Sequence, residues 1–289
     1  MIAASVGATI GASVLMHVAW NLMARHQPRE AEPLWWVLLA HTVMLAPWGL
    51  YCLLTEARWG TQLVCLLLIS ACANVVYFFA LARAYRHASV ALVYPLVRSS
   101  PLFIAVWSWL LFSEQLAALA WLGIALNVLG LLVLAASSKG GQEGRALPWA
   151  LLAMLATSIY SLSDKAATDY VPSFGAVVGY ISVGYFAAWV LMTLRMKRVS
   201  GNWIPAKRIG TPAMIVGGLC IGTAYALVIH AMRALPAAEV VSYTNAGIVI
   251  ATLASILVFR ERAHWLARTT GATVICVGLA LLAFGRSLG

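Results

Sequence analysis

The stretch Pro101-Leu-Phe-Ile-Ala-Val-Trp107-Ser-Trp109-Leu-Leu-Phe112-Ser113-Glu114-Gln-Leu-Ala-Ala-Leu-Ala-Trp121-Leu-Gly123-Ile-Ala-Leu-Asn-Val-Leu-Gly130-Leu-Leu-Val-Leu-Ala-Ala136 holds two apolar runs separated by one short polar turn. Lipid admits only helices or closed barrels, and no strand-like alternation is present. The stretch therefore reads as a helical hairpin in a membrane. The same reading extends over the chain. Of 289 residues 63% are apolar and 10% are charged, against about a quarter charged in a soluble domain. A soluble globular enzyme, a disordered chain and a secreted disulfide scaffold are excluded.

Ten apolar runs follow: 3–24, 33–54, 61–82, 89–112, 118–137, 148–166, 173–194, 211–231, 237–259 and 269–286. A spanning helix takes roughly 20 residues, so ten use about 210 and leave no room for a soluble domain. The charge balance is +10, but the basic residues sit in short gaps between runs. Positive-inside bias explains them better than nucleic-acid binding. Of the 19 Lys and Arg, fourteen lie in odd-numbered loops, four (Arg58, Lys165, Arg233, Arg286) in even ones, and Arg98 inside a helix. The expected topology has odd loops in the cytoplasm and both termini outside. The first run has no basic region before it and carries His17, Trp20 and Asn21, a poor signal-peptide core. The five cysteines show no CxxC pair and no metal spacing, so they read as small apolar core residues and no metal or cofactor is expected.

The chain echoes itself. Arg86, Phe112 and Glu114 recur 147 positions on as Arg233, Phe259 and Glu261, and Gly123 and Gly130 recur 148 positions on as Gly271 and Gly278. Trp20-Asn21-Leu22 with Arg25 matches Tyr160-Ser161-Leu162 with Lys165, 140 positions on. Five helices per half is an odd number, so the second half enters from the opposite side: two inverted repeats, residues 1–137 and 138–289. Transporters built this way bind substrate where the halves meet.

Phe112-Ser113-Glu114 with Gly123 and Gly130, its echo Phe259-Arg260-Glu261 with Gly271 and Gly278, and the opening His17-Val18-Ala19-Trp20-Asn21 together resemble the EamA family of the drug/metabolite transporter superfamily. The usual apolar-Gly-Glu turn reads Phe-Ser-Glu and Phe-Arg-Glu here. The resemblance implies ten helices as two EamA repeats around a central cavity, and export of metabolites, often amino acids, through a bacterial inner membrane. Within the superfamily the aromatic amino-acid exporters are the nearest match. The partners it implies are the bilayer and a small-molecule substrate. A monomer suffices to enclose a cavity, and a dimer stays open.

Candidate substrate-binding residues follow from polar groups inside apolar runs, which are costly there unless they face a bundle interior or a wet path. His17, Trp20 and Asn21 share one helix face, and Tyr160, Ser161 and Asp164 form a corresponding group in the second half. Helix packing is the competing reading for both. Asn74 and Tyr77 in the third run and Tyr225 in the eighth are further candidates, with Tyr94, Ser242 and Asn245. Arg98 stands mid-run between Pro95 and Pro101. It either holds a substrate carboxylate, whose shape matches guanidinium, or makes a fixed pair with Asp164, Glu239 or carbonyls freed by the prolines. Glu239 reads as a charge at a helix N-terminus. A clear midspan carboxylate is missing, Asp164 lying near a helix end, and the first helix has none, which weighs toward facilitated export over proton exchange. His17, His41, His230 and Asp164 are the groups able to relay a proton. A membrane enzyme is the rival class, but DDxxD and HExxH runs are absent. Nucleosides or lipid-linked sugars are the alternative cargo.

Overall fold

The computed structural model describes residues 2–25, 31–137, 143–257, 260 and 264–287. Thirteen α-helices run through them: α1 Ile2–Arg25, α2 Pro33–Met44, α3 Ala46–Glu56, α4 Thr61–His87, α5 Val90–Val97, α6 Pro101–Phe112, α7 Ala118–Ala136, α8 Leu147–Ala167, α9 Phe174–Ser200, α10 Thr211–Ala231, α11 Ala237–Thr244, α12 Ala246–Leu257 and α13 Trp265–Ser287. No strand occurs among the described residues. The protein is an all-helical, multi-pass membrane protein.

Local chemistry sets the ends. Pro33 opens α2, where its missing N–H is not needed. Ser173 caps α9 by accepting the Ala176 N–H at 3.0 Å, and Gly201 closes it at φ +76°. α4 and α9 overrun their apolar runs because Arg and Lys continue a helix well. The run 33–54 is two helices bent by 54° at Leu45, just before Pro47.

Seven spans are long and apolar enough to cross a membrane, or eight with the bent α2–α3 pair. The expected count of ten is therefore not reached on that measure. In α1 the apolar stretch is Ser5–Trp20. α8 falls short because Thr157, Ser158, Ser161, Ser163 and Asp164 lower its hydropathy. Of the cysteines, Cys52 and Cys220 are buried as expected, whereas Cys65, Cys72 and Cys276 lie on exposed apolar faces.

Contacts divide the chain into two compact units, Met1–Val75 with Ser163–Arg233, and Val76–Leu162 with Ala234–Gly289. Each unit draws on both sequence halves, so these units are a different partition from the expected repeats. In the first, α1 packs on α10, and α3 and α2 on α9. In the second, α7 packs on α13, α5 on α7, and α6 on α11.

Small residues permit these approaches, as membrane helices require. A Cβ on Gly49 would stand 2.6 Å from the backbone N of Gly179, joining α3 to α9. A Cβ on Gly130 would stand 2.6 Å from Gly271 O, and one on Gly123 2.8 Å from Gly278 O, joining α7 to α13. Ser113 and Arg260, the positions that depart from the glycine of the usual turn, both sit at φ +54°. That is the left-handed region glycine occupies at little cost.

Candidate functional site

In the second unit the polar centre is built on two helix breaks. Pro101 offers no N–H, so the carbonyl four residues back loses its helical donor and the chain turns through Arg98–Ser100. Ser99 Oγ donates to Pro95 O at 3.0 Å, and Arg98 N to Tyr94 O at 3.0 Å. The other break, between α11 and α12, has no proline. There Asn245 N donates to Ser242 O at 2.9 Å, tightening the turn.

The two breaks are tied to each other. Arg98 Nε donates to Asn245 Oδ1 at 3.1 Å, and Nη2 to Thr244 Oγ1 at 2.6 Å. Asn245 Nδ2 returns a bond to Arg98 O at 3.2 Å and another to Asn127 Oδ1 at 2.7 Å. The guanidinium also lies 5.8 Å from the Tyr94 ring centroid. Within this unit Arg98 is thus hydrogen-bonded by neutral groups. Glu239, one of its expected partners, lies instead 3.6 Å from Arg286. Two of the five Arg98 N–H donors are held, by neutral acceptors that do not cancel the charge. Around the breaks, the hydroxyls of Ser100 and Ser242 and the Asn127 Nδ2 are buried with no hydrogen-bond partner. Tyr77 and Tyr160 meet edge to face at 5.7 Å, and Ser161, next to Tyr160 on α8, has a buried, unpartnered hydroxyl.

The first unit holds a different cluster. Tyr225 Oη of α10 donates to Asp164 Oδ2 of α8 at 2.6 Å. The hydroxyls of Ser70 (α4) and Tyr180 (α9) lie against the same carboxyl group. Asp164 Oδ1 and Tyr180 Oη are buried and make no hydrogen bond. Asn74 turns back on its own helix, donating to Ser70 O at 3.0 Å. Gly184 lets α9 come close: a Cβ there would stand 3.1 Å from Asn74 Cβ. Elsewhere in the unit, Trp20 Nε1 points to His17 Nδ1 at 3.4 Å, and His41 Nε2 shares a 2.9 Å hydrogen bond with Ser182. The Asn21 side chain lies outside the described residues.

The expected site residues therefore fall into two groups. His17, Trp20, Asn74, Asp164 and Tyr225 belong to the first unit. Tyr77, Tyr94, Arg98, Tyr160, Ser161, Ser242 and Asn245 belong to the second. Asn127 and Thr244 complete the Arg98 network, and Ser70 and Tyr180 the Asp164 cluster. None of these four was singled out as a ligand from sequence. The one available signal was an Asn inside an apolar run at 127.

Residues 7–136 match the EamA-like transporter family. Over this stretch, a little under half of the chain, the sequence is similar to that family. The resemblance carried by Phe112-Ser113-Glu114, Gly123 and Gly130 lies in the matched stretch. EamA proteins are membrane transporters, and the match points to transport of small molecules. A solved structure, described only as the crystal structure of a protein, superposes with TM-score 0.76 at 17% identity. The overlap covers 97% of this chain and 98% of the other. At that identity the likeness shows the fold alone. No curated protein matches the sequence.

Proposed function

We propose that the protein exports small metabolites, amino acids first and aromatic ones by preference, across a bacterial inner membrane by alternating access. The observation that carries this reading is Arg98. A charge at bilayer depth costs a few kcal/mol or more unless it is compensated. Here Thr244 and Asn245 orient the guanidinium without neutralising it. A substrate carboxylate supplies the missing charge, and the guanidinium fork suits it bidentately. Tyr94, Tyr77 and Tyr160 offer ring faces and edges for an aromatic side chain. Ser161, Ser242 and Asn245 supply polar groups for its ends. In the first unit, His17, Trp20, Asn21, Asn74, Asp164 and Tyr225 are proposed as further substrate-binding residues.

The inverted repeat is part of this reading. Gly123 meets Gly278, and Gly130 meets Gly271, while the sequence echo pairs 123 with 271 and 130 with 278. Such crossed pairing is what a two-fold relation between repeats demands. Arg98 meets Asn245, 147 positions on, the offset of the other echoes. These contacts support two repeats of opposite orientation, with helix breaks as the moving points. The proposed topology keeps both termini periplasmic.

Uptake of labelled aromatic and aliphatic amino acids into proteoliposomes tests the reading. Saturable uptake that falls about ten- to a hundredfold in Arg98→Ala is expected, the loss of one or two charge-assisted hydrogen bonds. Saturable amino-acid uptake unchanged in a folded Arg98→Ala protein would remove the carboxylate role. Absence of uptake for every amino acid would reject the substrate class and turn the search to nucleosides and lipid-linked sugars.

A further inference from the structure

Asp164 is the one carboxylate of the described residues with no exposed surface, at 0%. It sits in the last turn of α8, yet has no exposed surface. One oxygen, Oδ2, accepts from Tyr225 Oη at 2.6 Å, and the other, Oδ1, has no hydrogen bond. Beside it Tyr180 Oη is also buried and unpartnered, at 2% exposure. Ionised carboxylates in such places accept several hydrogen bonds or face a cation. Here only the Tyr225 bond has full hydrogen-bond geometry, while the Ser70 and Tyr180 hydroxyls lie close and Oδ1 makes no such bond. The groups facing it are Ser70 from α4, Tyr180 from α9 and Tyr225 from α10. The two tyrosines are titratable, but a phenol ordinarily ionises near pH 10, so none of these facing groups carries a charge opposite the carboxyl group.

A cation of some size is a poor fit. Metal ions such as Ca²⁺ take six to eight oxygens, and no group of His, Cys, Asp and Glu able to hold a metal occurs among the described residues. An ammonium group needs volume, whereas Ser70, Asp164 and Tyr180 are all sealed within the unit. A proton needs no volume and completes the hydrogen bonding. On Oδ1 it makes an O–H donor, which then has Tyr180 Oη or Ser70 Oγ to donate to, while Tyr225 goes on donating to Oδ2. Donation to Tyr180 Oη would give a partner to both unpartnered atoms. On release, the proton returns to water and the carboxylate keeps the Tyr225 bond.

We propose that Asp164 is a proton-binding site, with Ser70, Tyr180 and Tyr225 as its lining, and that it is where a coupling proton is carried during transport. The transporter reading is needed for what the proton does, but not for where it binds. This also shifts the balance away from facilitated export, which the scarcity of midspan carboxylates favoured.

Infrared difference spectroscopy of the full-length protein in lipid, between acid and alkaline pH, tests the site without any transport. The carbonyl stretch of a protonated, buried carboxyl group is expected in the wild type and absent in Asp164→Asn. Tyr225→Phe is expected to move that band to higher frequency, since it removes the hydrogen bond to Oδ2. Tyr180→Phe is expected to move it too, if Tyr180 accepts the proton's hydrogen bond. These two variants keep the test alive should Asp164→Asn fail to fold. An identical spectrum in wild type and Asp164→Asn overturns the proposal, as does a band that neither tyrosine variant moves. Failure of amino-acid uptake leaves the band in place and counts against the substrate alone.

Discussion

The two polar clusters solve the problem of a charge among apolar helices in opposite ways. Arg98 sits where both neighbouring segments break, is partly exposed within its unit, and is held by neutral groups on α11 and at the following break, themselves tied to α7. Asp164 sits in an unbroken helix, is sealed, and leaves one oxygen unpartnered. A guanidinium cannot give up its proton in a protein, so its charge calls for an outside partner, and the breaks leave it reachable. A carboxylate can be neutralised where it stands, so it tolerates sealing. The difference in side-chain chemistry is what separates the charge proposed to hold a ligand from the one proposed to hold a proton.

The largest expected effect tests what the clusters share, a scaffold of close helix crossings. Gly130→Leu forces side-chain atoms against Gly271 O and is expected to cost about 3 kcal/mol or to abolish folding. Thermal unfolding in detergent measures it, with Gly11→Ala as a silent control because nothing lies within 4 Å of that Cβ. An equal stability of both variants would dissolve the packing argument. Next comes Asn245→Ala, which removes an acceptor from Arg98 and a donor from both Arg98 O and Asn127. A loss of about 2 kcal/mol is expected from groups left unpaired, together with weaker substrate uptake. Tyr225→Phe takes the donor from Asp164 and should cost about 1 kcal/mol, with uptake of a zwitterion changed less than by Arg98→Ala. The reverse order of these two in uptake would exchange the roles assigned to the clusters. The smallest effect has the opposite sign. Ser113→Gly relieves a left-handed backbone and should stabilise by up to about 1 kcal/mol; a destabilised variant would show that the Ser113 side chain contributes a contact of its own.

Much of the fold was legible because hydrocarbon imposes one rule on every span. The described helices fall on the ten apolar runs, with the breaks at Arg98 and before Pro47 marked by proline. The break at Asn245 carried no such mark. Its partner and Arg98 are 147 positions apart, and a hydrogen bond over that distance has no local signature. Gly123, Gly130, Gly271 and Gly278 were visible as an echo, but their crossed contacts were not. Among site residues, Arg98 stood out by cost alone, whereas Asp164 was one member of a polar face near a helix end. Their expected mutual pairing was one of several open readings, and Arg98 turned out to be tied to Thr244 and Asn245. Asn127 was passed over because a single amide in an apolar run is ordinary.

The sequence by itself determined that the chain lives in a membrane, where its helices begin and end to within a few residues, and which polar groups are expensive. Those follow from transfer cost and backbone hydrogen bonding, which act residue by residue. The tertiary structure alone decided which groups meet: Arg98 with Thr244 and Asn245, Asp164 with Tyr225, Gly130 with Gly271. Pairing depends on how whole helices cross, and a helix can rotate or slide by a turn without any change in its own hydropathy.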